Sequence, residues 1–195
     1  MVTTRPRVLI YGFGPYRQFR DNITAKVIRI LPRDPLLEKR IFRVRFDRLQ
    51  FVRALARAKP DIVLGLGQSS RQKIEGETQA RNRRRARAGD TPKPIAARGA
   101  ARLKTTWLPR LGPGTGRSRN AGDYVCNFSM YVMLDHIRRR KLKIPYAFIH
   151  IPHDCDSKRA VSVVTKILRD VRARNNARRT KIKAKNVRAD TVRAA

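Results

Sequence analysis

Three short apolar runs constrain this chain most. "RVLIYGF" (7–13), "PDIVLGLG" (60–67) and "YAFIHIP" (146–152) are rich in β-branched and aromatic residues, and glycine or proline stops each one. Runs this short with such punctuation read as strands buried on both faces. Helical patterns lie between and after them. "NITAKVIRIL" (22–31) places Ile23, Val27, Ile30 and Leu31 on one face and ends at Pro32. "RLQFVRALARA" (48–58) is amphipathic, and "SKRAVSVVTKILRDVRARN" (157–175) carries a stripe through Val161, Val164, Ile167, Leu168 and Val171. "IFRVRF" (41–46) alternates apolar and basic residues, which predicts a strand with one solvated face. Strand–helix alternation of this kind predicts an α/β protein with a helix-flanked, largely parallel sheet.

Two segments break the alternation. Residues 83–120 are rich in Arg, Gly and Pro and are expected to be mostly loop. Residues 176–195 form a basic tail with too little apolar surface to offset the entropy of ordering it, so the folded domain is expected to span 1–175. The net charge of +33 recurs along the whole chain rather than in one motif. Such a charge attracts nucleic acid without regard to sequence, so nucleic acid is admitted as a partner. No run has the length of a membrane span, and "MVTTRPRVLIYGFG" lacks the shape of a signal peptide. Two cysteines form no disulfide framework, which fits a reducing, cytoplasmic setting. Two cysteines and three histidines without paired spacing argue against a structural zinc site.

The chemistry-bearing residues are few. "NAGDYVCNFSMYVMLDHIRRR" (120–140) reads as an amphipathic helix, with Asp123 as N-cap and Cys126 in the first turn at about N3. Helix-start amides favour a thiolate there. Yet Cys126, Met130, Met133 and Ile137 also form an apolar stripe, and spacing alone favours a core cysteine. His150 lies near the end of the third apolar run, where open α/β sheets gather their sites, and is placed to act as a general base. Glu75 and Glu77 follow the loop after the second run, and either could orient that histidine. "YGFGPY" (11–16) displays Phe13 and Tyr16 on a tight turn, and it is no phosphate loop because GxGxxG is absent.

These pieces, in this order, resemble the pyroglutamyl peptidase I (pyrrolidone-carboxylate peptidase) family of cysteine peptidases. "YGFGPY" with Asn22 resembles the family's opening turn; "RQKIEGETQARN" is similar to its glutamate segment, "SRNAGDYVCN" with Tyr131 to its cysteine segment and "FIHIP" to its histidine segment. The resemblance runs from about residue 7 to 170. It implies a single three-layer α/β/α domain with a mostly parallel twisted sheet. It also implies a Cys126 nucleophile, a His150 base and a Glu77 orienting carboxylate, with Glu77 preferred to Glu75 by its spacing to Asn82. Phe13 and Tyr16 would sandwich the pyrrolidone ring. Arg87 would stand near the site, and the loop "GLGQSSRQKI", with Ser69 and Ser70, would lie near the substrate. The implied reaction removes N-terminal pyroglutamate (5-oxoproline) from peptides through a thioacyl-enzyme, with neither metal nor cofactor. A homo-oligomer is admitted as well. The alternative is an inactive homologue or a basic nucleic-acid-binding protein on the same fold. Where the family usually has a helix, "RLGPGTGRSRN" (110–120) is rich in residues that cannot readily form one.

Overall fold

The computed structural model describes residues 5–16 and 19–173, so the basic segment 176–195 lies outside the described residues. In chain order the elements are β1 (Val8–Phe13), α1 (Ile23–Ile30), β2 (Leu37–Phe42), α2 (Arg48–Ala58), β3 (Ile62–Ser69), β4 (Glu75–Glu77), β5 (Gln79–Arg81), β6 (Arg102–Lys104), β7 (Gly116–Ser118), α3 (Val125–Arg139) and β8 (Tyr146–Pro152). A fourth helix, α4, covers 157–173. Six strands form one sheet in the order β2-β1-β3-β8-β4-β7, while β5 and β6 pair separately. All neighbours in the large sheet are parallel except β8 and β4.

The three apolar runs are the three central strands, β1, β3 and β8. Alternate side chains feed two cores. Leu9, Tyr11, Val63, Tyr146 and Phe148 face α2 and α3, whereas Val8, Ile10, Leu64, Ala147 and Ile149 face α1 and α4. Burial on both faces explains why these strands read as continuous apolar runs rather than alternating ones. Gly65 is required in this arrangement. A Cβ there would lie 2.7 Å from the Tyr11 ring and would also strike Phe148, two rings whose centroids approach to 6.1 Å. Asn22 caps α1 by accepting from Thr24 N at 3.0 Å, and Asp47 caps α2 by accepting from Leu49 N at 2.9 Å.

One expectation needs correction. The second strand is Leu37–Phe42 rather than 41–46, because it pairs with β1 from Val8↔Leu37 to Phe13↔Phe42 and β1 ends there. Beyond it, Val44 and Phe46 turn onto the α3 core instead of continuing the ladder. The segment 83–120 also contains β6 and β7. Residues 110–120 form no helix, and β7 within them pairs with β4.

On α3, Asp135 is 1% exposed and bonds Arg139 Nε at 2.8 Å, with Arg138 at 3.1 Å and Arg48 at 3.4 Å. Burial works to raise its pKa, but the three guanidinium groups hold it below the ordinary value. Its contribution to stability is therefore present above the ordinary carboxylate range and is lost as pH falls through the lowered pKa. Asp135→Asn is expected to cost about 2 kcal/mol at neutral pH. That is below the cost of breaking a fully buried pair, because the arginines are about half exposed. The deficit should vanish in acid, as read by urea unfolding at both pH values.

Candidate active site

Cys126 stands in the first turn of α3, but the helix starts differently from the expectation. Its N-cap is Tyr124, which makes no side-chain cap bond, so Cys126 occupies N2 rather than N3. Asp123 is drawn away by Arg85, whose Nε donates to its carboxylate at 2.6 Å. Met130, Met133 and Ile137 are buried, whereas Cys126 is half-buried against the same core. The stripe thus fixes the helix and leaves the sulfur at the core's edge. Helix geometry leaves the first-turn amides without intrahelical partners.

A chain of hydroxyls anchors this turn from behind. Ser129 Oγ donates to Cys126 O at 2.8 Å, Tyr11 Oη lies 3.1 Å from Ser129 Oγ, and Tyr146 Oη lies 2.6 Å from Tyr11 Oη. A carbonyl only accepts, so the serine proton is committed to Cys126. Tyr11 must then donate to Ser129, and Tyr146 to Tyr11. Burial holds the Tyr11 hydroxyl proton well above its ordinary pKa, which keeps this relay intact.

His150 is buried near the end of β8 and faces the same side of the sheet as Phe148. Its Nδ1 lies 2.7 Å from Glu77 Oε1. Glu77 is 0% exposed and sits at the end of β4, the strand that runs antiparallel to β8. Burial opposes its charge, but the His150 bond and charge, joined by Arg71, hold the carboxyl below its ordinary range. An ionised carboxylate can only accept, so His150 carries a proton on Nδ1. Glu75 sits opposite His150 in the strand register and bonds Arg71 instead of the ring. Gly67 lies opposite His150 on β3, where a Cβ would come within 2.7 Å of Cδ2 and 2.8 Å of Nε2. The missing side chain at Gly67 makes room for the imidazole.

Cys126 and His150 line one cavity of about 360 Å³. Among the described residues no direct hydrogen bond joins them. Burial first, and then the Glu77 charge, push the Cys126 thiol up to about 12, with Arg71 pulling the other way. Burial thus favours the protonated thiol over the thiolate. The aromatic wall contains Phe13, Tyr16, Phe19 and Tyr124. Tyr16 stacks on Tyr124 with centroids 4.9 Å apart, and Phe46 supports Tyr124 edge-on at 5.2 Å. Phe13 is nearly buried, packed edge-on against Tyr11 at 5.9 Å.

The structure thus brings Cys126, His150, Phe13, Tyr16, Ser69 and Ser70 to one cavity, with Glu77 directly behind His150. Arg87 is not among the cavity residues: it is exposed in the loop after β5, and its backbone N–H donates to Asp90 at 2.9 Å. Reading the sequence alone overlooks Arg71, Tyr124, Phe19 and Gln68, all of which line the cavity. Gln68 Oε1 accepts from Ile23 N at 2.9 Å, tying the end of β3 to the start of α1. Among the described residues no three of His, Cys, Asp and Glu cluster as a metal site would require.

A helix-borne thiol and a carboxylate-held imidazole share one cavity of an α/β protein, above a mostly parallel sheet. Comparison with known proteins narrows this. The family profile described as pyroglutamyl peptidase matches residues 102–167. A pyrrolidone-carboxylate peptidase of Erwinia tasmaniensis is 32% identical over 169 residues, covering 75% of this chain and 78% of the relative. That of Bacillus subtilis is 28% identical over 172 residues, covering 76% and 79%. The crystal structure of pyroglutamyl peptidase I from Bacillus amyloliquefaciens superposes with a TM-score of 0.77 at 25% identity, over 87% of this chain and 96% of that one. The chain belongs to the pyroglutamyl peptidase family of hydrolases.

Gly67→Ala is expected to push the His150 ring off Glu77. Overpacking of this kind should cost about 1–3 kcal/mol. The downfield imidazole N–H proton resonance of the Glu77 bond should be lost in the folded variant, as read by proton NMR.

Proposed function

We propose that the protein removes N-terminal 5-oxoproline from peptides, with Cys126 as nucleophile, His150 as base and Glu77 as orienting carboxylate. One observation supports this best: a thiol at the start of α3 and an imidazole whose tautomer Glu77 fixes share one aromatic cavity in a member of this family. Nε2 of His150 takes the thiol proton as Cys126 sulfur attacks the pyroglutamyl carbonyl. The resulting imidazolium returns that proton to the leaving amine, and a thioester remains. Water then attacks the thioester, His150 takes one proton from it, and 5-oxoproline leaves as the sulfur recovers a proton. Glu77 stabilises the imidazolium at each stage without itself becoming protonated. The amides at the start of α3 supply donors for the oxyanion. The pyrrolidone ring is neutral, so the aromatic wall can hold it without a charged partner.

The Tyr16–Tyr124 stack leaves no room for a ring between its members, so the substrate ring sits beside the stack or parts it. Two free thiols fit a reducing, cytoplasmic setting, and no helix among the described residues is long and apolar enough to cross a membrane.

A pyroglutamyl-anilide assay tests this reading. Cys126→Ala should abolish hydrolysis, Cys155→Ala should leave it near the parent rate, and Glu77→Gln should lower kcat by about 10³–10⁴-fold. Full activity of Cys126→Ala would overturn the assignment. The net charge of +33 favours a second, separable property, salt-sensitive binding of nucleic acid. Electrophoretic mobility shifts at two salt concentrations should show binding that survives Cys126→Ala; no shift with either DNA or RNA removes it.

A further inference from the structure

Arg71 lies in the loop between β3 and β4, and no part of the proposed reaction yet uses it. Its position is unusual for an arginine in so basic a chain. Nη1 donates to Glu77 Oε1 at 2.8 Å, the same oxygen that accepts from His150 Nδ1 at 2.7 Å. The same Nη1 reaches Glu75 Oε2 at 2.7 Å. Nη2 donates to the carbonyl of Asn120, at the start of the 120–124 turn that leads into α3. Arg71 also lines the cavity, where Ala121 and Gly122 from that turn form part of the wall. One planar guanidinium therefore connects the carboxylate behind the base to the backbone leading to the nucleophile.

We infer that Arg71 is a positioning residue for the reaction, holding Glu77 in place behind His150 while fixing the Asn120 turn that delivers Cys126. The inference rests on the peptidase reading above. The two neighbouring carboxylates divide the work. Glu75, opposite His150 in the strand register, neutralises part of the arginine's charge without touching the ring, and Glu77 uses one oxygen for both cation and imidazole. Arginine rather than lysine is needed because a planar fork can serve carboxylate and carbonyl at once, whereas an ammonium is a point charge. Cys126 is faced by Glu77 and Arg71 from β4 and its approach, by His150 and Tyr146 from β8, and by Tyr11 from β1. Within that set Arg71 is the group whose charge opposes the rise in the thiol's pKa.

The test compares Arg71→Gln and Arg71→Lys in a Cys155→Ser background, where Cys126 is the remaining thiol. Two readouts are taken: steady-state hydrolysis of a pyroglutamyl-anilide, and the iodoacetamide alkylation rate of Cys126 at neutral pH. Arg71→Gln should lower kcat by about 100-fold with KM within about twofold, as expected when reacting groups lose alignment. It should also slow alkylation. Arg71→Lys should restore most of the alkylation rate, because the charge is kept, but not kcat, because the fork is lost. Parent-like kcat in either variant overturns the inference, as does a rise in KM at constant kcat. Should Arg71→Gln not fold, Arg71→Lys decides: a kcat loss of about tenfold or more at unchanged KM sustains the inference. If the parent cleaves no pyroglutamyl substrate, the peptidase reading fails instead, and the alkylation rates still report whether Arg71 acts on Cys126.

Discussion

The site depends on one buried carboxylate held across a reversal of strand direction. Four strands of the large sheet run parallel, and then β4 pairs antiparallel to β8. That reversal brings Glu77 to the side of His150, with no exposed surface and two cationic or protonated partners on one oxygen. A lone charge at such depth would be neutralised. This one stays ionised because its partners are fixed by backbone: His150 by the β3–β8 register, and Arg71 by the turn into β4. β7 steadies β4 from the far side through Glu75↔Gly116 and Glu77↔Ser118. The helix-poor segment 110–120 therefore contributes a pairing strand next to the carboxylate.

The central sheet was legible because its strands are buried on both faces, and nothing but a strand fits a run as short as "DIVLGLG" ending in a loop. The flanking helices were legible from their stripes. The second strand was misplaced because "IFRVRF" alternates so well. Its alternation reports Val44 and Phe46 packing on α3, not ladder pairing, and only the length of β1 decides where β2 stops. Likewise β4, β5, β6 and β7 are three residues each. Three residues carry no periodicity to read, and such strands exist because a neighbour offers hydrogen bonds.

Within the site, Cys126, His150, Phe13, Tyr16, Ser69 and Ser70 share one cavity, although spacing alone favours a core reading of Cys126. The N-cap was misjudged because Asp123 has the right chemistry for a cap but a stronger partner in Arg85. Arg71 escaped notice for a simple reason: in a chain with 47 lysines and arginines, one more arginine carries no signal. Only its distance to two carboxylates singles it out. Arg87, matched by position, is exposed in its loop, where the chain's path rather than its spacing decides what it can reach.

The cavity has two kinds of wall. Cys126 and His150 belong to a long helix and a central strand, tied down by core packing and by the hydroxyl chain from Tyr146 to the Cys126 carbonyl. Tyr16, Phe19, Ser70, Ala121 and Gly122 belong to the loops that close around them. Insertions or exchanges in those loops can reshape what enters without shifting the Cys126 sulfur or the His150 ring. Descendants of such a chain could thus drift toward new substrates while keeping one chemistry, and the cost of each trial would fall on the surface rather than on the core.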